Sequence, residues 1–170
     1  MKTLVFNSTP LIYLSKVGLS GIIEKLQEGK LTSPLVKAEV VDKGKQKGVP
    51  DAIALEKLFE NGVFKLCNPK DKLFLSRLSK TRGLHAADAE VLALAKEHEG
   101  LAVIDDEVAR KTSKVYKISY VGTPYILARA VSEGFLSKRQ AEEAVKDIVS
   151  SGWRCNVETY AKIMELIDEI

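Results

Sequence analysis

Short apolar runs alternate with longer amphipathic stretches along the chain. Residues 3–6 form a brief, β-prone apolar run that predicts a buried strand. Asn7-Ser8-Thr9-Pro10 follows, offering cap residues and a proline suited to a first helical turn. Helices are predicted over 10–16, stopped by Gly18, and over 20–27, closed by Gly29. Ser33-Pro34 opens a helix to about 42, and the Lys- and Gly-rich segment 44–48 is a loop. Asp51 caps a helix that runs to Asn61-Gly62, and 63–67 is a strand. Two helices, 71–80 and 84–98, flank Thr81-Arg82-Gly83.

The run 101–104 is the clearest strand, brief and bounded by Gly100 and Asp105. A helix over 107–114, a strand over 118–121 and a helix from Thr123-Pro124 to 132 come next. Ser137 and Gln140 form a capping box for a helix to about 150. Asn156 caps the last helix, with Val157, Tyr160, Ala161, Met164 and Ile167 at helical spacing. Strands separated by helices imply an α/β fold, a three-layer α/β/α sandwich around a mostly parallel sheet. No repeat or linker interrupts it, so 1–170 is expected as one domain. The helical hairpin 137–170 is then an appendage or a dimerisation element.

Composition changes this picture little. The 170 residues are 45% hydrophobic and 29% charged, which fits a globular chain. A net charge of +3 does not by itself argue for nucleic acid. Cys67 and Cys155 form no CxxC pair, so two reduced core thiols are expected rather than a zinc ribbon. The opening apolar run is too short for a signal peptide and nothing reaches membrane-span length, so a cytoplasmic protein is expected.

The acids carry more information. In open α/β sheets ligands bind at the carboxyl ends of the strands. Asn7 directly follows the first strand, and Asp105 and Asp106 directly follow the strand 101–104. Asp88 has Leu84, Val91, Leu92 and Ala95 on its own helix face, which turns it inward. A carboxylate there is costly unless paired or metal-bound. Glu39 is a weaker candidate, with Leu35 and Val36 behind it and Lys43 ahead. Crowded carboxylates suit a hard cation, and a cation so held can activate water for attack on phosphorus.

The succession Val5-Phe6-Asn7-Ser8-Thr9-Pro10-Leu11-Ile12, then Glu39, Ala87-Asp88-Ala89-Glu90 and Ile104-Asp105-Asp106, resembles the PIN-domain ribonucleases. It is most similar to a small prokaryotic and archaeal branch with Asp-Asp-x-x-Ala-Arg, here Asp105 to Arg110, followed by Gly122-Thr123. The resemblance spans nearly the whole chain. It implies Mg²⁺- or Mn²⁺-dependent cleavage of RNA, often by the toxin of a toxin–antitoxin pair. The family's four acids map onto Asn7, Glu39, Asp88 and Asp106, with Asp105 beside them. It implies catalytic roles for Glu39, Asp88 and Asp106, and positioning of water or phosphate by Ser8, Thr9 and Thr123. It also implies self-association as a dimer and, for a toxin, an antitoxin protein as partner. One departure stands out: the family's first acid is usually aspartate, and here it is Asn7.

Plainer roles stand beside these. Asn7 can cap the following helix, Asp105 or Asp106 can cap the helix near Glu107, and Asp106 can pair with Arg110. Asp88 can serve as an early-turn acid. His85 and His98 are lone histidines, and Trp153 and Tyr160 are expected to pack the terminal hairpin. The basic run Lys70, Lys72, Arg77, Lys80 and Arg82 reads first as solvated surface. Arg77, Lys80 and Arg82, with Arg110, are the candidates for RNA phosphates. Two functions therefore compete: a metal-dependent endoribonuclease, and an inactive fold module that binds RNA or a protein. A dinucleotide site lacks its GxGxxG, an aspartyl-phosphate enzyme lacks its first aspartate, and no Ser-His-Asp set can be placed.

Overall fold

The computed structural model describes residues 2–170. Its centre is β1 (Leu4–Phe6), whose three residues are all fully buried. β1 pairs in parallel with β2 (Lys30–Thr32) on one side and β4 (Leu101–Val103) on the other. β3 (Lys65–Leu66) extends the sheet beyond β2, and β5 (Tyr120–Val121) extends it beyond β4. The order is β3-β2-β1-β4-β5, and every pairing is parallel. Parallel neighbours require crossovers, and helices supply them, which gives the expected α/β/α sandwich.

α1 (Ser8–Lys16) leaves β1 directly, and α2 (Gly21–Lys25) leads into β2. α3 (Pro34–Lys37) passes without a break through a π turn, Ala38–Asp42, into α4 (Lys43–Gln46). α5 (Asp51–Glu60) packs on α1 and on the π turn. α6 (Lys72–Ser79) lies along α7 (Ala86–Glu97), and α7 sits on β1 and β4. Small and branched residues from Ala87 to Ala95 are buried around α7, so its backbone lies close to the sheet. α8 (Glu107–Val115) and α9 (Thr123–Ser132) flank β5 in the chain. α10 (Lys138–Ser150) and α11 (Val157–Asp168) form the terminal hairpin, which packs on α9, with α10 also on α1.

The structure corrects several expectations. β2 has no counterpart among the predicted strands: Lys-Leu-Thr is too short and too polar to stand out, and its place comes from pairing with β1. Residues 44–48 are not the expected loop, since α4 extends through Gln46. A Cβ on Gly44 would lie 2.8 Å from the Ala52 Cβ, so glycine there lets α4 approach α5. Asp51 is the first residue of α5, and Pro50 holds the cap position. In α11, Val157 is 86% exposed and Ala161 is also exposed, whereas Ile163 and Ile167 face inward. Cys67 and Cys155 are free thiols, but both are half-buried rather than core. Among the described residues no helix is long and apolar enough to cross a membrane.

Candidate active site

The carboxyl edge of the sheet gathers polar side chains from four segments. Asn7 continues β1 in an extended conformation, its backbone N–H donating to the Val103 carbonyl at 3.1 Å. It occupies the cap position of α1, yet its side chain makes no cap bond. Instead Asn7 Nδ2 donates to Asp88 Oδ1 at 2.5 Å, joining positions 81 residues apart. Asp88 stands in the first turn of α7, where Oδ2 accepts the His85 backbone N–H at 3.1 Å. The Asp88 residue is only 4% exposed. Burial pushes its carboxyl above the usual range and the charge of Asp106 pushes the same way, against the bonds from His85 and Asn7.

Glu39 lies in the π turn, a rare conformation that occurs mostly as a single turn within α-helices and frequently at functional sites. The Ser8 hydroxyl donates to Glu39 Oε2 at 2.5 Å, which ties the turn to the start of α1. Asp106 caps α8, its Oδ1 accepting the Ala109 N–H at 2.8 Å. Asn7, Ser8, Thr9, Glu39, Asp88 and Asp106 line one cleft of about 330 Å³, with His85 and Ala87 completing its wall. Sequence reasoning passes over His85 as a lone histidine; only its place in the cap of α7 brings it here.

Asp105 takes another course. Its Oδ1 accepts the Thr123 N–H at 2.9 Å and faces Arg110 Nη2 at 3.3 Å, and its Oδ2 accepts the Thr123 hydroxyl at 2.5 Å. These bonds clasp the end of β4 to the start of α9. Gly122 is required there, because a Cβ would lie 2.7 Å from Arg110 Nη2 and 2.8 Å from Asp105 Oδ1. Asp105 and Thr123 are therefore not among the residues lining the acidic cleft. Arg110 pairs with Asp105, not with Asp106, since the Asp106 carboxylate is turned to its cap. Arg77, Lys80 and Arg82 are exposed and lie outside the cleft lining.

The cleft suits a hard divalent cation in its chemistry. Its donors are oxygens, and Asn7 Oδ1 is buried with no partner among the described residues. Among the described residues no three His, Cys, Asp or Glu side chains draw together as a group that could hold a metal ion. The arrangement fits an ion that keeps several waters and takes one or two carboxylates, as Mg²⁺ does. Asp88, Asp106 and Glu39 are the carboxylates that line the cleft.

Among curated proteins no match is found. A family model, DUF3368, described as a PIN domain, matches residues 3–169.

Proposed function

The chain belongs to the PIN-domain family, and from that premise we propose that it is a Mg²⁺- or Mn²⁺-dependent endoribonuclease. The family gives it a nuclease-type fold; substrate and metal are the further step. The observation that carries the reading is Asp88, a carboxylate 4% exposed in the same cleft as Asp106 and Glu39, with no cation paired to it among the described residues. Leaving an acid so placed costs stability unless something binds there.

Asp88 and Asp106 would hold the ion through carboxylate oxygens, with Glu39 taking its coordinated water. Asn7 fixes the rotamer of Asp88, and Ser8 fixes that of Glu39. The clasp from Asp105 to Thr123 sets the elbow that presents Asp106. Once bound, the ion supplies a polarised phosphate oxygen and an acidified water for in-line attack. A toxin role, an antitoxin partner, a dimer through the terminal hairpin and a cytoplasmic setting rest on likeness to the family.

A second reading, an inactive module that binds RNA or protein, draws on Asn7 itself. Its Nδ2 points an N–H at Asp88 Oδ1, where a metal ligand would have to present a free oxygen. Calorimetry with Mn²⁺ on the parent and on Asp88→Ala separates the two. Binding that disappears in the variant, followed by cleavage of labelled RNA, supports the enzyme. Parent protein that binds no Mn²⁺ favours the module. If Asp88→Ala and Asp106→Ala both cut RNA like the parent after stripping and reloading of metal, the site is elsewhere.

A further inference from the structure

Beside the acidic cleft runs a larger groove of about 470 Å³, within the roughly 300–1,000 Å³ of small-ligand sites. α1 and the start of α8 form one wall, and the turn between α10 and α11 forms the other. Thr9 and Asp106 line both cavities, so the groove meets the cleft at that end. The turn is well anchored. Trp153 is buried beneath it against α9 and α10. Gly152 adopts φ +104, a conformation L side chains rarely take, where the chain passes Tyr13.

Charge is graded along this groove. Asp106 and Glu107 border it, and Glu107 is paired with Lys111. Arg110 and Arg154 are its cations. Arg110 is paired with Asp105 at 3.3 Å and keeps 34% of its side chain exposed. Arg154 is exposed and makes no ion pair among the described residues. Tyr13 contributes a half-buried ring, with Lys16 Nζ 5.0 Å from its centroid. An aromatic ring beside two arginines, one of them without an ion pair among the described residues, next to the cleft proposed to take a metal-bound phosphate, is the pattern that grips a single nucleic-acid strand.

We propose that this groove is a subsite for the nucleotide adjoining the scissile bond of single-stranded RNA, Arg154 and Arg110 holding its phosphate and Tyr13 its base. The inference rests on the ribonuclease reading above and adds the α10–α11 turn to the substrate site. Arg154 is the decisive residue, because it lines the groove and makes no ion pair among the described residues. A uniformly acidic peptide would suit Arg154 but gain nothing from the ring.

The test is fluorescence anisotropy of a labelled single-stranded oligoribonucleotide in chelator, which permits binding without cleavage. Arg154→Glu is expected to weaken binding at least about tenfold and to flatten its salt dependence by about one phosphate contact. Arg154→Lys retains most of the affinity, Tyr13→Ala loses a few-fold, and Mn²⁺ binding stays at the parental value in the Arg154 variants. With metal present, the loss from Arg154→Glu falls on KM rather than kcat. If the parent cleaves RNA and Arg154→Glu matches it in affinity and KM, the subsite is wrong and the ribonuclease reading stands. A parent that neither binds nor cleaves RNA removes both. Displacement of the RNA by polyglutamate at comparable concentration would overturn the nucleotide assignment in favour of an acidic peptide.

Discussion

Acids are buried at both ends of the sheet, and the two ends treat them differently. At the amino end, Glu28 leads into β2 and is 7% exposed. Arg129 of α9 reaches it at 2.7 Å and also bonds Glu133. Lys30 adds a second cation, donating to the Glu24 carbonyl at 3.3 Å and to that of Leu26. Burial alone would lower the Arg129 guanidinium, but the carboxylates of Glu28 and Glu133 more than offset it and raise its pKa. Burial lowers the Lys30 amine against those same charges. At the carboxyl end, Asp88, Asp106 and Glu39 line one cleft with no cation paired to any of them among the described residues. Hydrogen bonding is not what separates the ends. Glu28 Oε2, Arg129 Nε and Glu133 Oε2 lack partners among the described residues, just as Asn7 Oδ1 does. The difference is charge: one cluster is neutralised from within, and the other waits for a ligand to neutralise it.

The largest effect should come from removing the unneutralised acid. Asp88→Ala is expected to reduce RNA cleavage by roughly a thousandfold or more, since several kcal/mol of transition-state stabilisation depend on the ion it holds. Its thermal midpoint should hardly fall, because relief from burying a charge offsets the bonds lost to Asn7 and His85. Near-parental cleavage rates in this variant would abolish the contrast between the two ends. The mirror experiment is Arg129→Met. It strips Glu28 and Glu133 of their shared cation and should cost about 3 kcal/mol of stability in urea titration. Mn²⁺ binding and cleavage by the folded fraction should not change. Loss of Mn²⁺ binding there would mean that the two ends are coupled.

Asn7→Asp sharpens the comparison by increasing the imbalance. It replaces the N–H that faces Asp88 with a second carboxylate. Metal-free stability should drop by about 1–2 kcal/mol from repulsion between like charges. Mn²⁺ affinity should rise by about tenfold, and cleavage should rise with it. Unchanged affinity alongside the drop in stability would favour the inactive module.

Legibility in the sequence follows the same division. Leu101 to Ile104 and Thr3 to Phe6 betray strands because burial on both faces demands unbroken apolar runs. Asp88 betrays itself by breaking such a pattern, an acid among Leu84, Val91, Leu92 and Ala95. Lys30 to Thr32 carries no comparable run, so β2 could be found only through its partner β1. Periodicity could not foresee the π turn that carries Glu39, because its extra residue is set by packing on α1 and α5. Asp105 and Asp106 are neighbours with the same side chain, and sequence alone leaves open which faces the cleft. The Thr123 hydroxyl, 18 residues on at the start of α9, and the Arg110 guanidinium of α8 decide it. The groove between Tyr13 and Arg154 leaves no local trace, since its walls come from opposite ends of the chain.

The smallest expected effect concerns protons, which compete with a metal for Asp88. Burial raises the carboxyl of Asp88 above its unfolded value, and Asp106 adds to the rise. A group raised in this way contributes stability that is complete below its unfolded pKa, near 4. That contribution is lost as pH rises through the folded pKa. The metal-free protein therefore reaches neutral pH carrying the cost of a buried, ionised Asp88. A bound ion removes that cost. The rise in thermal midpoint on adding Mn²⁺ should be greatest near pH 7 and shrink as acid protonates Asp88 and displaces the ion. The paired cluster at the other end offers no such competition, so Arg129→Met should leave the pH profile of the Mn²⁺ increment unchanged. Differential scanning calorimetry from roughly pH 4 to 8, with Mn²⁺ and with chelator, reads this directly. An increment that is flat across that range would remove Asp88 from the metal site.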